Sequence, residues 1–324
     1  MSHQFSSPEP LLDVQHFSMS VAVQPTVQKQ LIHDVSFTLA RNEVVVLLGQ
    51  SGSGKTVLSR SLTKLFPSNV PATFEGSVRF QGKEILTLDE NGLRPLRRTD
   101  IRYIFQEPAQ ALNPVARIRE QLNHSRGDGA SGDELLLDVL EKVGLPHGRE
   151  ILGLYPHQLS IGMAQRVLIG MGILPRPKIV IADEPTSAVD PPLRYQLLEL
   201  LDSIQRAEGM SMILITHDLD EAKMFGSRVI VLYDGRVIES AERATFFTHP
   251  LHPYSRLLVE SAPAVNETPR SFTDRDSKLM TGKKTMSGCR FHERCPIAEE
   301  RCSRQEPALE RVDKLHEVRC FYWK

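Results

Sequence analysis

An octapeptide near residue 50 has the composition of an anion site. Gly49-Gln50-Ser51-Gly52-Ser53-Gly54-Lys55-Thr56 fits G-x-x-x-x-G-K-[ST]. The glycines let the backbone curl so that successive N–H groups face one phosphate chain. Lys55 adds a point charge suited to β- and γ-phosphates, and the Thr56 hydroxyl suits Mg²⁺. A second acidic element follows in Ile179-Val180-Ile181-Ala182-Asp183-Glu184. Asp183 is placed to hold Mg²⁺ opposite the cradle, and Glu184 to orient or deprotonate a water at the γ-phosphate. Either element alone has a bland reading, a chance match or an acidic strand end. Together they predict a nucleotide site for ATP with Mg²⁺.

Elements of defined type must hold these groups. Glu43–Leu48, Lys178–Ala182 and Met210–Thr216 are short, nearly all-apolar runs, as expected of strands buried on both faces of a parallel sheet. The first leads into the cradle. The cradle in turn opens a helix with Leu58, Leu62, Leu65 and Phe66 at helical spacing, which adds helix-end potential for an anion. Leu197, Leu198, Leu200, Leu201 and Ile204 mark a second helix. Hairpins are expected at Ser77–Ile85, around Gln81-Gly82, and at Arg228–Glu239, around Asp234-Gly235. Residues from about 115 to 175 read as helical with a polar break at Arg126–Asp133, and a loose connection runs from Ala262 to Gly288.

The bulk numbers exclude several classes. The chain has 324 residues with 40% apolar and 24% charged content, ordinary for a globular protein. A net charge of −1 and the lack of a long basic stripe argue against nucleic acid as a partner. The N-terminal stretch MSHQFSSPEPLLD lacks the basic flank and apolar run of a secretory signal. No run approaches the ~18 apolar residues of a membrane span, so work at a membrane requires docking on a spanning partner.

The order of further motifs resembles one family. Gln106 lies in Phe105-Gln106-Glu107-Pro108, then come Leu159-Ser160-Ile161-Gly162-Met163-Ala164-Gln165, Asp183 to Asp190, and Thr216-His217-Asp218. In family order these are the Q-loop, signature, Walker B, D-loop and switch histidine of an ABC transporter ATP-binding subunit. The resemblance covers roughly residues 10–250. It implies an α/β fold: an ABC-type P-loop NTPase core with an antiparallel β subdomain and a helical subdomain (about 110–175). It also implies a dimer in which each ATP is held by one subunit's cradle and the other's signature. Ser160 and Gly162 would then face the partner's γ-phosphate, Gln106 would reach Mg²⁺ or the attacking water, and His217 would bond the γ-phosphate and align Glu184.

Thr248-His249-Pro250-Leu251-His252-Pro253-Tyr254-Ser255 and the terminal cysteines narrow the resemblance to the peptide/nickel importer branch. That branch implies a second, distinct ATPase chain, two transmembrane permeases and an external binding protein, with this chain peripheral on the cytoplasmic face. Cargo would be peptides, nickel or metal chelates. The expected division is an ATPase domain at 1–250 and a four-cysteine extension at 251–324. Competing readings are a non-transport ABC ATPase, which usually has two halves or long inserts, and a regulatory subunit with impaired hydrolysis.

Two departures carry expectations. Ile161 stands where the signature usually has glycine; its stiff side chain disfavours φ > 0, which predicts a weakened ATP site or, alternatively, no effect. The segment Ser18–Gln24 lacks the usual adenine-stacking aromatic, so Val21 or Val23 would meet the base and ATP would be only weakly preferred over GTP. The cysteines are spaced Cys289-x₅-Cys295-x₆-Cys302-x₁₇-Cys320, without C-x₂-C knuckles. Their confinement to the chain's end suits a local site rather than a disulfide framework. Four thiolates suit a [4Fe–4S] cluster, with Zn²⁺ or free thiols as alternatives, and the branch resemblance implies the cluster. His292 is read as a surface residue, and Phe321-Tyr322-Trp323 as packing.

Overall fold

The computed structural model describes residues 9–24, 27–66, 70–126, 132–261 and 287–324. Contacts divide the chain into two compact units, Met1–Val45 with Thr56–Ile215, and Val46–Lys55 with Thr216–Lys324. The division falls between Lys55 and Thr56. Most of the polar break at 126–133 and of the loose connection at 262–288 lies outside the described residues.

In the first unit, β1 (Leu12–Gln24) pairs antiparallel with β2 (Val27–Leu39) and with β4 (Ala72–Phe80), which turns into β5 (Lys83–Glu84). The register shifts past His16, which has φ 49°. The bulge is held by local polar bonds: the His16 N–H donates to Ser36 Oγ at 2.8 Å, and the Asp34 N–H to Ser18 Oγ at 3.0 Å. Gln81 and Gly82 both have positive φ (49° and 75°), the geometry of a tight hairpin turn.

The same unit carries the parallel strands. β6 (Ile101–Ile104), β7 (Ile179–Asp183) and β8 (Ser211–Thr216) pair side by side, with Ile101 opposite Ile179 and Asp183 opposite Ile215. Every residue of β7 and β8 is buried, as an all-apolar run demands. The Met212 N–H donates to the Glu43 carbonyl at 2.9 Å, next to β3 (Val44–Leu48). Helices span Ile118–Arg126, Glu134–Lys142, Gly148–Gly153 and Ile161–Ile173, and they bury Leu122, Leu136, Leu140 and Ile169 against one another. The buried Gln121 accepts from the Asn113 N–H (2.9 Å) and donates to the carbonyls of Asn113 (3.0 Å) and Ala116 (2.9 Å), closing the loop that follows Gln106.

In the second unit, β9 (Arg228–Tyr233) and β10 (Arg236–Glu242) form the expected hairpin, with positive φ at Asp234 (45°) and Gly235 (76°). The end of the chain returns here. After β11 (Glu310–Arg311), β12 (Glu317–Val318) pairs with β10, Glu239 opposite Val318. Glu239, 0% exposed, accepts from the Leu251 and His252 N–H groups and from His316 Nε2, each at 2.8 Å. A buried carboxylate with three donors is a stable arrangement; one without them is not. Among the described residues no helix is long and apolar enough to cross a membrane.

Candidate nucleotide site

The second unit holds the cradle. Gly49, Gly52 and Gly54 have φ of 153°, 80° and 102°, which side chains rarely adopt. A Cβ at Gly49 would also run into the Leu232 carbonyl and Ser53 Oγ. The loop closes on itself: the Ser53 N–H donates to the Gln50 carbonyl (3.1 Å), and the Gly235 N–H to the Ser53 carbonyl (2.8 Å). The Lys55 ammonium donates to the carbonyls of Gly49 (2.6 Å) and Gln50 (3.1 Å). It is thus held inside the curl, and Ser51 and Gly52 are exposed. His217 is exposed in the elbow after β8. There the Thr216 hydroxyl donates to Glu221 (2.6 Å) and accepts from the Asp218 N–H (2.9 Å), and Asp218 caps the helix Leu219–Met224.

The first unit holds the acidic residues, and it separates the two carboxylates. Asp183, 0% exposed, accepts from the Thr56 hydroxyl at 3.0 Å and from the Tyr103 hydroxyl at 2.6 Å. Burial raises its pKa above the usual carboxylate range, while both donors pull it back down. Tyr103 also meets Ser59 Oγ at 3.0 Å and lies beneath the Arg60 guanidinium, 5.9 Å from its ring centre; burial and Asp183 raise its pKa. The chemistry suits Mg²⁺. Thr56 Oγ and the Asp183 carboxylate lie side by side at 3.0 Å and offer the hard oxygen ligands that would hold such an ion.

Glu184 turns elsewhere. Its φ is +43°, a left-handed conformation for a residue with a side chain. Its N–H donates to the Ile215 carbonyl (2.9 Å), and its carbonyl accepts from the Ser187 N–H (3.1 Å) and hydroxyl (3.0 Å). The half-buried carboxylate accepts from Gln106 Nε2 at 3.0 Å. Thr56, Asp183, Glu184 and Gln106 therefore come together as two hydrogen-bonded pairs. Tyr103 was not singled out in the sequence; its signal was a phenol in a short strand whose end residues, Ile101 and Ile104, are buried, where a hydroxyl needs a partner.

The signature opens the helix Ile161–Ile173. Ser160 is its N-cap, accepting from the Met163 N–H at 3.2 Å. Ile161 is helical and 61% exposed. The expectation that it sits where φ > 0 is required is therefore corrected: right-handed helix geometry suits isoleucine, and only its side chain is left to obstruct anything. A Cβ at Gly162 would meet Val189 and Leu193 at ordinary distances, 3.8 and 3.9 Å. On the base side, Met19 is buried, Val21 is half-buried and Val23 is 58% exposed.

The four cysteines, His252 and Phe291 are among the residues lining one small cavity in the second unit. Burial raises the Cys289 thiol to about 11, and also raises Cys295 and Cys320. Among the described residues no three His, Cys, Asp or Glu side chains are grouped so as to hold a metal ion. His292 lines the cavity and pairs with the Cys289 carbonyl at 2.6 Å. Phe321 packs under the Arg301 guanidinium at 3.8 Å.

Residues 32–187 match the family model described as ABC transporter, and residues 238–302 match that described as oligopeptide/dipeptide transporter, C-terminal region. The chain is 37% identical to the dipeptide transport ATP-binding protein of Haemophilus influenzae, over 96% of this chain and 94% of that one. It is 35% identical to the oligopeptide transport ATP-binding protein of Bacillus subtilis, over 90% and 91%. Among solved structures it resembles a dimeric ATP-binding cassette in a post-hydrolysis state bound to ADP and Pi, with TM-score 0.63 and 26% identity over 72% of this chain and 98% of that one.

Proposed function

The chain belongs to the ATP-binding subunits of ABC transporters, in the group that carries the oligopeptide/dipeptide C-terminal region, and from this membership we propose that it drives a bacterial peptide importer. As a member of that family it is an ATPase that uses ATP and Mg²⁺. The names of its relatives support peptides as cargo; nothing in them supports nickel or metal chelates. The partners in this reading are a second ATPase chain, two permeases and, through them, an external binding protein, with this chain peripheral on the cytoplasmic face. In the same reading the ATPase domain spans 1–250 and the extension 251–324.

One observation carries the assignment of roles: adjacent carboxylates at the end of one strand have different surroundings and different partners. Asp183, buried against Thr56, belongs to the metal; Glu184, half-buried and turned onto Gln106, belongs to the water. Mg²⁺ held by Thr56 and Asp183 would supply charge neutralisation to the phosphates. Lys55 and the N–H groups of Gly49–Thr56 hold the phosphates, Gln106 and His217 orient the water and the γ-phosphate, and Ser160 and Gly162 complete the partner's site. The absence of an aromatic from Ser18–Gln24 predicts affinities for ATP and GTP within about threefold, and a strong preference for ATP would refute it.

We propose that Cys289, Cys295, Cys302 and Cys320, which line one cavity, would hold a [4Fe–4S] cluster. Cys302→Ser is expected to remove iron from the purified protein; unchanged iron content with intact folding would exclude the cluster.

The deciding experiment is the ATPase rate of the complex with permeases and partner ATPase, wild type against Glu184→Gln. Loss of general-base action costs on the order of 10²–10⁴ in rate. A loss of most activity supports the motor reading. A rate barely changed makes this chain a regulator whose partner hydrolyses the ATP.

A further inference from the structure

The recognised nucleotide motifs all lie before residue 219, yet one contact to the cradle comes from the extension. Tyr254 begins the helix Pro253–Ser261 and is 2% exposed. Its hydroxyl accepts a hydrogen bond from the Gln50 N–H at 3.1 Å. That N–H and the Gly49 carbonyl belong to one planar peptide group, and the Gly49 carbonyl accepts from the Lys55 ammonium at 2.6 Å. The peptide is thus clamped at both ends. Rotating it would swing the carbonyl away from Lys55 and move the charge meant for the phosphates.

Tyr254 is itself tightly set. Its ring stands edge-on to Tyr233 (centroids 4.8 Å apart) and to Phe291 (5.5 Å). Its own N–H donates to His252 Nδ1 at 3.0 Å, and the His252 N–H is held by the buried Glu239 at 2.8 Å. Phe291 and His252 also line the cysteine cavity. A continuous set of packed groups therefore runs from the cysteine module to the first peptide of the cradle.

We infer that Tyr254 is a positioning residue for ATP binding: it fixes the Gly49–Gln50 peptide and makes the extension part of the phosphate cradle. The inference rests on the cradle binding ATP. Removing the hydroxyl leaves the ring packing in place but strips a partly buried N–H of its partner.

The test uses the full chain in a Glu184→Gln background, which keeps the nucleotide intact. Tyr254→Phe is expected to weaken MgATP affinity about three- to tenfold, the worth of one such hydrogen bond. Gln50→Pro removes the same N–H from the other side, at a residue whose φ is not positive. In that variant, adding Tyr254→Phe is expected to change affinity no further. Wild-type affinity in Tyr254→Phe overturns the inference, and so does an equal loss with and without Gln50→Pro, because the hydroxyl would then act elsewhere. If the Glu184→Gln parent binds no MgATP, the cradle assignment itself fails.

Discussion

Glu184 offers a test in which stability and activity separate. At φ +43° its Cβ crowds the backbone, a cost of roughly 1–2 kcal/mol that only glycine avoids. In an ordinary helix interior glycine is about 0.8–1 kcal/mol worse than alanine. At position 184 the order should reverse, with Glu184→Gly more stable than Glu184→Ala by about 1 kcal/mol. Both variants lose the contact to Gln106 and keep the backbone bonds to Ile215 and Ser187, so those effects cancel in the comparison. Thermal unfolding of the purified chain reads the difference as roughly 1.5 °C in Tm. Both variants are expected to be inactive as ATPases. An alanine variant as stable as the glycine variant, or more so, would show that no strain is stored at Glu184.

Three further outcomes are expected. Tyr103→Phe removes one of the two donors holding Asp183, so the Mg²⁺ concentration for half-maximal ATPase should rise about tenfold; an unchanged Mg²⁺ requirement refutes this. Burial lowers the His252 pKa to about 4 from an ordinary 6.5, so the folded state binds fewer protons than the unfolded chain between those values. The stability gained by keeping it neutral is present above about pH 6.5 and lost as pH falls toward 4; His252→Asn should flatten that acid limb in urea unfolding, and an equally steep limb would rule the histidine out. Because the backbone at Ile161 is already helical, Ile161→Ala and Ile161→Gly should raise the ATPase rate of the complex equally; a gain from glycine alone would restore the backbone explanation.

The parts of the fold that were legible in sequence are those where one constraint dominates. Strands buried on both faces read as unbroken apolar runs, and Glu43–Leu48, Lys178–Ala182 and Met210–Thr216 appear within a residue or two of those bounds. Both hairpins were marked by their turn dipeptides, whose residues adopt positive φ as such turns require. The long strands β1 and β2 were not legible. Their alternation is broken at His16 and Asp34, and much of their length is exposed, so no period of two survives. The cradle and the paired carboxylates were legible because phosphate chemistry needs those residue types in that order. Tyr254 was visible only as part of a family-like stretch, because a hydroxyl that reaches across 204 positions to one N–H leaves no local pattern.

The pairing of β12 with β10 makes the last residues of the chain a closing seam. Excising residues 310–324 to obtain a smaller ATPase would bare the backbone edge of β10 and take His316 from Glu239, a carboxylate with no exposure to solvent. An open edge invites pairing with other chains, and a buried carboxylate that loses one of its hydrogen-bond donors costs about 1–3 kcal/mol. A shortened chain is therefore expected to aggregate rather than behave as an independent enzyme, and fragment libraries should place their cuts elsewhere.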